Sequence, residues 1–427
     1  MLVKEIKLKG LDEIIYEHET KEGLKVYIWQ NVKIKGNFMT LSVKYGSIHT
    51  DFKIGNKTYH LPTGIAHFLE HVKFNKGPNE TAHENFYHLS GDPNAFTTFR
   101  YTSYLVYASK NIKENLEELL DFVYTPYFTK QLINKEKGII VEEANMGEDN
   151  VDQKLFFNFY GQLFKESKFK NRIVGSVEDI KKITVEDLEL VYNVFYHPKN
   201  MFLCVTGNSN PYEIAKIVDE NLAQKSFPKF KNPKVITPIE DKKVAIKYKE
   251  VEENINQTKV KYGLKIPKNK FKNYNDYELR LYLNLILNCN FGNTSSLKEE
   301  LISKNLITNL FASSEIYDEF VGIMISSETD YDQELIKRIE YKLKHLEVLE
   351  KDFLRKKKGL IANLILNFEY ISTINNNIQR DIILEGKIIN NVKDIYENLN
   401  YDNLLDIMNN IKTNNKSILI AKPKKDN

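Results

Sequence analysis

The feature that most limits the fold of this chain is a succession of predicted strands and helices that occurs twice along the sequence. Strand-like segments at 24–31 and 36–48 precede the helical pattern of 63–74, and strand-like 96–109 follows. The same order recurs at 258–266, 276–289 and 320–328, with a last strand at 417–423. The pattern predicts an α+β fold of two homologous half-modules, each an antiparallel-rich sheet with helices packed on one face. We expect an N-terminal module at 1–227, a Pro- and Lys-rich linker at 228–245 and a C-terminal module at 246–427.

Composition excludes several classes of function. A formal charge of +3 over 427 residues gives no reason to expect nucleic acid or a membrane surface as partner. The first residues lack the apolar core of a signal peptide, and no apolar run approaches the roughly 18 residues of a membrane span. The two cysteines, Cys204 and Cys289, do not form a CxxC pair. The sequence therefore predicts a cytoplasmic protein without a disulfide framework.

The segment GIAHFLEHVKF, residues 64–74, concentrates ionisable side chains in an otherwise apolar helix. At ~100° per residue, His67, Glu70 and His71 share a face about 100° wide, and the apolar residues lie opposite. Histidines at positions i and i+4 can bind one Zn²⁺, and the carboxylate between them can act on water at the metal. Thr63 is the expected helix N-cap. In the second module the corresponding helix, around 281–291, holds no histidine.

A zinc site of this kind needs a third protein ligand. The helical segment NKEKGIIVEEANMGEDN, residues 134–150, offers Glu136, Glu142, Glu143 and Glu148. Glu136 and Glu143 are seven residues apart and share a helix face, so one could bind the metal while the other supports it. Spacing does not choose among these four acids, and it leaves His83 and His88 open as well.

Three motifs in order carry a family resemblance: HFLEH at 67–71, NAFTTFRYTSYLVY at 94–107 and EKGIIVEEANM at 136–146. They resemble the insulinase/pitrilysin family of inverted-motif zinc peptidases, and in particular its small bacterial processing-peptidase-like members. The resemblance implies that His67, His71 and Glu143 bind zinc and that Glu70 is the general base. It implies that Glu136 is an auxiliary catalytic glutamate.

The same resemblance gives a role to the segment around Asn94. It implies that Asn94, Ala95 and Phe96 belong to an edge strand that receives the substrate peptide by strand addition. The alternative is a turn at Gly91–Asn94 followed by an ordinary strand with Phe96 in the core.

One departure from the family pattern points to a partner. Active members place an Arg and a Tyr, seven residues apart, in the second module, where this chain has Ile302 and Asn309. The resemblance therefore implies a heterodimer in which a paralogous subunit without HxxEH supplies Arg and Tyr across a clam-shell chamber.

The sequence predicts a zinc-dependent endopeptidase that cleaves peptides or unfolded segments, including maturation or leader removal of a small peptide. One alternative is a non-catalytic structural or peptide-binding subunit of the same fold. A second is a metal-dependent hydrolase of esters or phosphoesters, for which an edge strand at Asn94 would have little use.

Overall fold

The computed structural model describes residues 2–78 and 80–424. The chain forms two compact units that do not follow the sequence halves. The first unit comprises the chain up to Met146, then Asn171–Thr237 and Leu364–Lys393. The second comprises Gly147–Lys170, Pro238–Asn363 and the chain from Asp394 onward. Each half of the sequence therefore contributes one segment to the unit that is built mainly from the other half.

The first unit contains twelve strands among the described residues. They are β1 Val3–Leu8, β2 Glu13–Glu19, β3 Lys25–Gln30, β4 Asn37–Val43, β5 Asp51–Ile54, β6 Lys57–His60, β7 Asn75–Gly77, β8 Glu80–Thr81, β9 Gly91–Thr97, β10 Thr102–Ala108, β11 Met201–Gly207 and β12 Lys234–Val235. Its helices are α1 Ile65–Lys73, α2 Ala82–His88, α3 Ile112–Tyr124, α4 Lys130–Asp149 (which ends in the second unit), α6 Val177–Lys182, α7 Val185–Phe195, α8 Pro211–Leu222 and α13 Ile371–Leu384.

A seven-stranded sheet in the order β1-β2-β3-β11-β4-β10-β9 forms the centre of the first unit. Its pairs are antiparallel except for β3 and β11, which run parallel. A small sheet, β12-β5-β6, includes part of the predicted linker, because β12 pairs with β5. Strand β9 is at the end of the large sheet and pairs only with β10 among the described residues.

Alternate residues of the central strands enter two different hydrophobic clusters. Val26 and Ile28 of β3 pack with α1, α3 and α7, whereas Tyr27 and Trp29 pack with Ile378 and its neighbours on α13. Helices therefore cover both faces of this sheet. The expectation of helices on one face is corrected here, because α13 comes from the distant segment 364–393.

The second unit contains five strands, β13 Tyr248–Glu253, β14 Lys259–Pro267, β15 Asn309–Ile316, β16 Phe320–Glu328 and β17 Lys416–Pro423. Its helices are α5 Val151–Leu163, α9 Asp276–Phe291, α10 Ser296–Ser303, α11 Asp332–Lys344, α12 Glu350–Leu366, α14 Val392–Asn398 and α15 Tyr401–Asn410, of which α12 and α14 extend into the first unit. The sheet order is β13-β17-β14-β16-β15. On α5, Phe159 packs against Gly263, where a Cβ atom would lie only 2.7 Å from the ring.

The two sheets repeat one topology. The order β3-β11-β4-β10-β9 of the first sheet matches β13-β17-β14-β16-β15 of the second, with the single parallel pair in the same place. In both, two helices lie in the connection from the second strand of the scheme to the edge strand, namely α1 and α2 in the first unit and α9 and α10 in the second. The predicted α+β duplication is confirmed. The module boundaries at 227 and 246 stay a prediction. In the structure, α5 from the first half of the sequence belongs to the second unit, and α13 from the second half belongs to the first unit.

Helix α13 is attached to the sheet by a buried polar network as well as by apolar packing. The Asn375 amide accepts a hydrogen bond from the Thr40 hydroxyl at 2.8 Å and donates to the Phe38 and Cys204 carbonyls. Gln379 donates to Asn375 and accepts from Ser42. Because these groups are fully buried, the loss of one partner leaves several of them unsatisfied.

We predict that Asn375→Ala lowers the unfolding free energy of the first unit by about 2 kcal/mol, because buried partners lose their hydrogen bonds. Trp29 is the only tryptophan of the sequence and lies 1% exposed in the α13 cluster, so its fluorescence follows this unit. The urea midpoint should fall by about 1 M. Asn377→Ala, on the same helix and outside the network described above, provides the control and should shift the midpoint little. An equal midpoint shift in both variants would contradict the structural role of the network.

Candidate metal centre

Helix α1 begins at a glycine. Gly64 is the N-cap with φ of 84°, and a Cβ atom there would lie 2.2 Å from the Val174 carbonyl oxygen. The expected cap, Thr63, was wrong, because its hydroxyl donates to Asp179 at 2.7 Å and caps no amide of α1. Only glycine meets both requirements of this position, a left-handed backbone and room for the close approach of residues 174–175. The direction of α1 is thus fixed by a contact with a segment 110 residues away.

The apolar face of α1 is embedded in the core of the first unit. Ile65, Phe68, Leu69 and Val72 are at most 1% exposed. The opposite face carries His67, Glu70 and His71, as the helical wheel predicts. Glu70 is 8% exposed, and the two imidazoles are partly accessible.

Helix α4 brings two of the predicted glutamates to this face. One oxygen of the Glu143 carboxylate lies 3.4 Å from Nε2 of His67 and the other 3.3 Å from Nε2 of His71. Glu136, two turns earlier and largely buried, lies 3.8 Å from Nδ1 of His71. The remaining candidates do not join them: Glu142, Glu148 and His88 are exposed, and His83 stacks on Phe74.

These positions fit a zinc ion. Among the described residues, His67, His71 and Glu143 form the group whose ligand atoms all lie within 4.8 Å of one another. Each imidazole nitrogen lies 3.3–3.4 Å from a different oxygen of the Glu143 carboxylate, which is about the separation between neighbouring ligands of a tetrahedral zinc with bonds of about 2.0–2.1 Å. The Nε2 atoms of His67 and His71 both face the Glu143 carboxylate. The Nδ1 atom of His71 points to the Glu136 carboxylate, an arrangement that orients a metal-binding imidazole.

The charges of the site are strongly coupled. Hydrogen bonds with His67 and His71 hold the pKa of Glu143 well below its usual range. Burial alone would lower the pKa of His71, but its interactions with the carboxylates of Glu136 and Glu143 outweigh burial and raise the pKa to about 9. Because a metal ligand must be a neutral imidazole, His71 releases a proton when metal binds. The apparent metal affinity should therefore rise with pH up to about 9.

Glu70 has a separate environment. Burial raises its pKa above the ordinary value, against the lowering effects of His67 and of a hydrogen bond from Thr97. The Thr97 hydroxyl donates to Glu70 at 2.5 Å. Thr97 was not among the predicted site residues; the predicted strand 96–109 is divided in the structure, and Thr97 is the last residue of β9. The bond attaches the carboxylate of α1 to the edge strand β9.

Strand β9 leaves one backbone edge unpaired by any other strand in residues 2–78 and 80–424. Asn94 is exposed, and its side-chain oxygen accepts a hydrogen bond from the Ala95 amide at 2.8 Å. Phe96 is half-buried, with its ring edge-on to Tyr101 at 5.7 Å. Asn94, Ala95 and Phe96 thus lie on the exposed edge next to α1.

In the second unit, the positions at which the family resemblance implies an Arg and a Tyr are occupied by Ile302 and Asn309. Ile302 lies near the end of α10 with 47% of its surface exposed. Asn309 begins β15, and its amide donates to Glu328 at 3.1 Å. Neither side chain carries a cation or a phenol.

Comparison with known proteins identifies the family. Residues 40–177 match the model for insulinase (peptidase family M16), and residues 182–360 match the model for the peptidase M16 inactive domain. An uncharacterized zinc protease of Bacillus subtilis, YmfH, is 37% identical over 317 residues, which are 73% of each chain. The chain belongs to the M16 peptidase family. Its cofactor is Zn²⁺, as the names of several M16 relatives indicate.

Two further M16 relatives extend over more of the chain. The zinc protease PqqE of Helicobacter pylori is 25% identical over 372 residues, 81% of each chain. The solved structure of an M16-like protein from Alicyclobacillus acidocaldarius has a TM-score of 0.91, covers 98% of this chain and all of its own, and is 24% identical. That structural likeness concerns the M16 fold. No helix in the described ranges is both long and apolar enough to cross a bilayer.

We predict one Zn²⁺ per chain, lost in His71→Ala and strongly weakened in Glu143→Gln, because each change removes a charged or basic ligand. Metal analysis after dialysis at pH 7.5 measures the stoichiometry. Glu148→Gln is the matched control on the same helix and should keep full zinc. Full zinc in Glu143→Gln, with loss in Glu148→Gln, would show that the third ligand is assigned incorrectly.

Proposed function

We propose that this M16 protein is a zinc endopeptidase acting on extended peptides or unfolded segments, with His67, His71 and Glu143 as the zinc ligands. The observation that carries the proposal is the Glu143 carboxylate, 3.3 and 3.4 Å from two imidazole nitrogens, beside the buried Glu70. The names of the M16 relatives support a peptidase role.

Glu70 is the proposed general base. Zinc bound by the three ligands supplies a Lewis acid for water and for the scissile carbonyl. Glu70 accepts a proton from the attacking water and donates it to the leaving amine. Burial raises the pKa of Glu70, which makes its carboxylate a stronger base toward the attacking water than an exposed glutamate would be. Thr97 holds the Glu70 carboxylate in one orientation throughout.

Glu136 is assigned to positioning. Its carboxylate is buried and lies 3.8 Å from Nδ1 of His71, on the side of the ring away from Glu143. It therefore favours the tautomer that presents Nε2 to the metal, a role that second carboxylates commonly have around zinc.

The unpaired edge of β9 is the proposed substrate site. An extended peptide can continue the sheet there through main-chain hydrogen bonds, which are independent of its sequence. Asn94, Ala95 and Phe96 would line this peptide. Because Thr97 follows them and bonds to Glu70, the added strand would lie next to the base.

We predict that Glu70→Gln keeps zinc and fold but loses at least ~10²-fold in turnover of a fluorogenic peptide, the lower range for a positioned general base. Glu142→Gln, an exposed neighbour of the ligand on α4, is the control and should remain active. Near-normal turnover in Glu70→Gln would exclude it as the base. No hydrolysis by the zinc-loaded wild type under any condition would favour a non-catalytic subunit.

We also propose that the active form is a heterodimer. Two of the relatives that this chain resembles are named as beta subunits of mitochondrial processing peptidases. Ile302 and Asn309 leave the second unit without the Arg and Tyr that active relatives are expected to use on the substrate and oxyanion. A paralogous M16 subunit without HxxEH would supply both across a shared chamber. Maturation of a small peptide and a cytoplasmic location are compatible with this assembly and stay predictions.

The isolated chain should therefore bind zinc normally but cleave peptides slowly, because loss of one oxyanion donor commonly costs about 10²–10³ in rate. Addition of a paralogue that carries Arg and Tyr should raise the rate by at least ~10²-fold, and mutation of that Arg or Tyr should remove the gain. Steady-state kinetics at increasing partner concentration measures this effect. An isolated chain with full activity, unchanged by any such paralogue, would contradict the heterodimer.

A further inference from the structure

Two threonines face each other where strands β9 and β10 join in a hairpin. Thr97 is the last residue of β9 and Thr102 is the first of β10, and the two residues are directly paired across the strands. Side chains of directly paired residues lie on the same face of a sheet. Their hydroxyl oxygens are 3.3 Å apart. The hydrogen bond from Thr97 to Glu70 is therefore continued into the sheet by a second hydroxyl.

The direction of these hydrogen bonds follows from the number of hydrogens. A threonine hydroxyl has one hydrogen to donate and two lone pairs that can accept. Thr97 donates its hydrogen to the Glu70 carboxylate, so the hydrogen between the two threonines is that of Thr102. The fully buried Thr102 hydroxyl also donates to the Tyr45 carbonyl at 3.0 Å. Thr102 thus has two acceptors for one hydrogen, and one of them is Thr97.

This contact affects which group Thr97 presents to Glu70. Rotation about χ1 can place either the hydroxyl or the methyl group of a threonine in a given direction. A hydrogen bond from Thr102 favours the rotamer in which the Thr97 hydroxyl lies between Thr102 and Glu70. Hydrogen bonds in such a chain also strengthen one another.

The hairpin that carries both threonines is attached to the loop after β4. The Ser47 amide donates to the Thr98 carbonyl at 3.0 Å. A Cβ atom on Gly46 would lie 2.5 Å from the Tyr101 amide nitrogen, so this close approach of two backbones requires glycine. The threonine pair is therefore fixed to the central sheet on the side away from α1.

We propose that Thr102 is a positioning residue for Glu70 and that it acts through Thr97. The inference rests on the proposed function of Glu70 as the general base. One oxygen of the Glu70 carboxylate is held by Thr97, which leaves the other for the attacking water. Without the Thr102 hydroxyl, Thr97 loses the contact that selects its rotamer, and Glu70 is held less firmly. A base with a second orientation lowers kcat and leaves the binding of the peptide unchanged.

Steady-state kinetics of the full zinc-loaded chain with a fluorogenic peptide tests the role of Thr102. Thr102→Val keeps the shape of the side chain and removes the hydroxyl; kcat should fall about three- to tenfold, with KM changed less than about twofold. Thr102→Ser restores the hydroxyl and should recover most of kcat. In a Thr97→Val background, Thr102→Val should cause no further loss, because the two residues act in series. An unchanged kcat, an effect on KM alone, or an equal further loss in that background would overturn the inference.

Ser103 provides a matched control on the same strand. It is also fully buried, and its hydroxyl accepts a hydrogen bond from Ser42 at 2.9 Å. As the next residue of β10 it points to the opposite face of the sheet. Ser103→Ala should therefore change kcat less than about twofold, even if it lowers the unfolding midpoint as much as Thr102→Val does. An equal loss of kcat in both variants would assign the effect to the loss of a buried hydroxyl and overturn the inference.

Crystal structures of the zinc-loaded wild type and of Thr102→Val separate this inference from the proposed reaction. The Glu70 carboxylate should lie within hydrogen-bond distance of Thr97 in the wild type and adopt a second orientation in the variant. Absence of hydrolysis by the wild type would contradict the proposed function alone, and the orientation of Glu70 would still test Thr102. An identical Glu70 in both structures would overturn the positioning role, whatever the activity of the wild type.

Discussion

The structure of the metal centre depends on helix α1, which must bury one face completely and keep three ionisable side chains on the other. Its apolar residues are in the core against the large sheet, and this packing leaves no freedom of rotation about the helix axis. The left-handed Gly64 then fixes where the helix starts. Consequently His67, Glu70 and His71 face α4 and the edge strand β9.

The same constraint explains the electrostatics. Without a metal, the Glu143 carboxylate compensates two imidazoles, and the pKa values of Glu143 and His71 move apart accordingly. A divalent cation bound by His67, His71 and Glu143 would replace the proton of His71. Glu70 is attached to Thr97 by a hydrogen bond, and the charges of His67, His71 and Glu143 also act on its pKa.

Much of this was accessible from the sequence, and the reasons differ by residue. Helical periodicity predicted the face of α1, and the seven-residue spacing linked Glu136 with Glu143, because both are local properties of one helix. Thr97 and the cap at Gly64 depend on neighbours distant in sequence. The second helix layer depends on a hydrogen bond between Thr40 and Asn375, 335 residues apart, which no local pattern contains.

Anomalous diffraction at the zinc edge, from crystals of the zinc-loaded Glu70→Gln variant with a bound peptide, tests the central claim most directly. We expect one zinc peak about 2.0–2.2 Å from Nε2 of His67, Nε2 of His71 and a Glu143 oxygen. The peptide should lie extended along β9 with its scissile carbonyl at the metal. Zinc held by Glu136 in place of Glu143, or a peptide bound away from β9, would contradict the account.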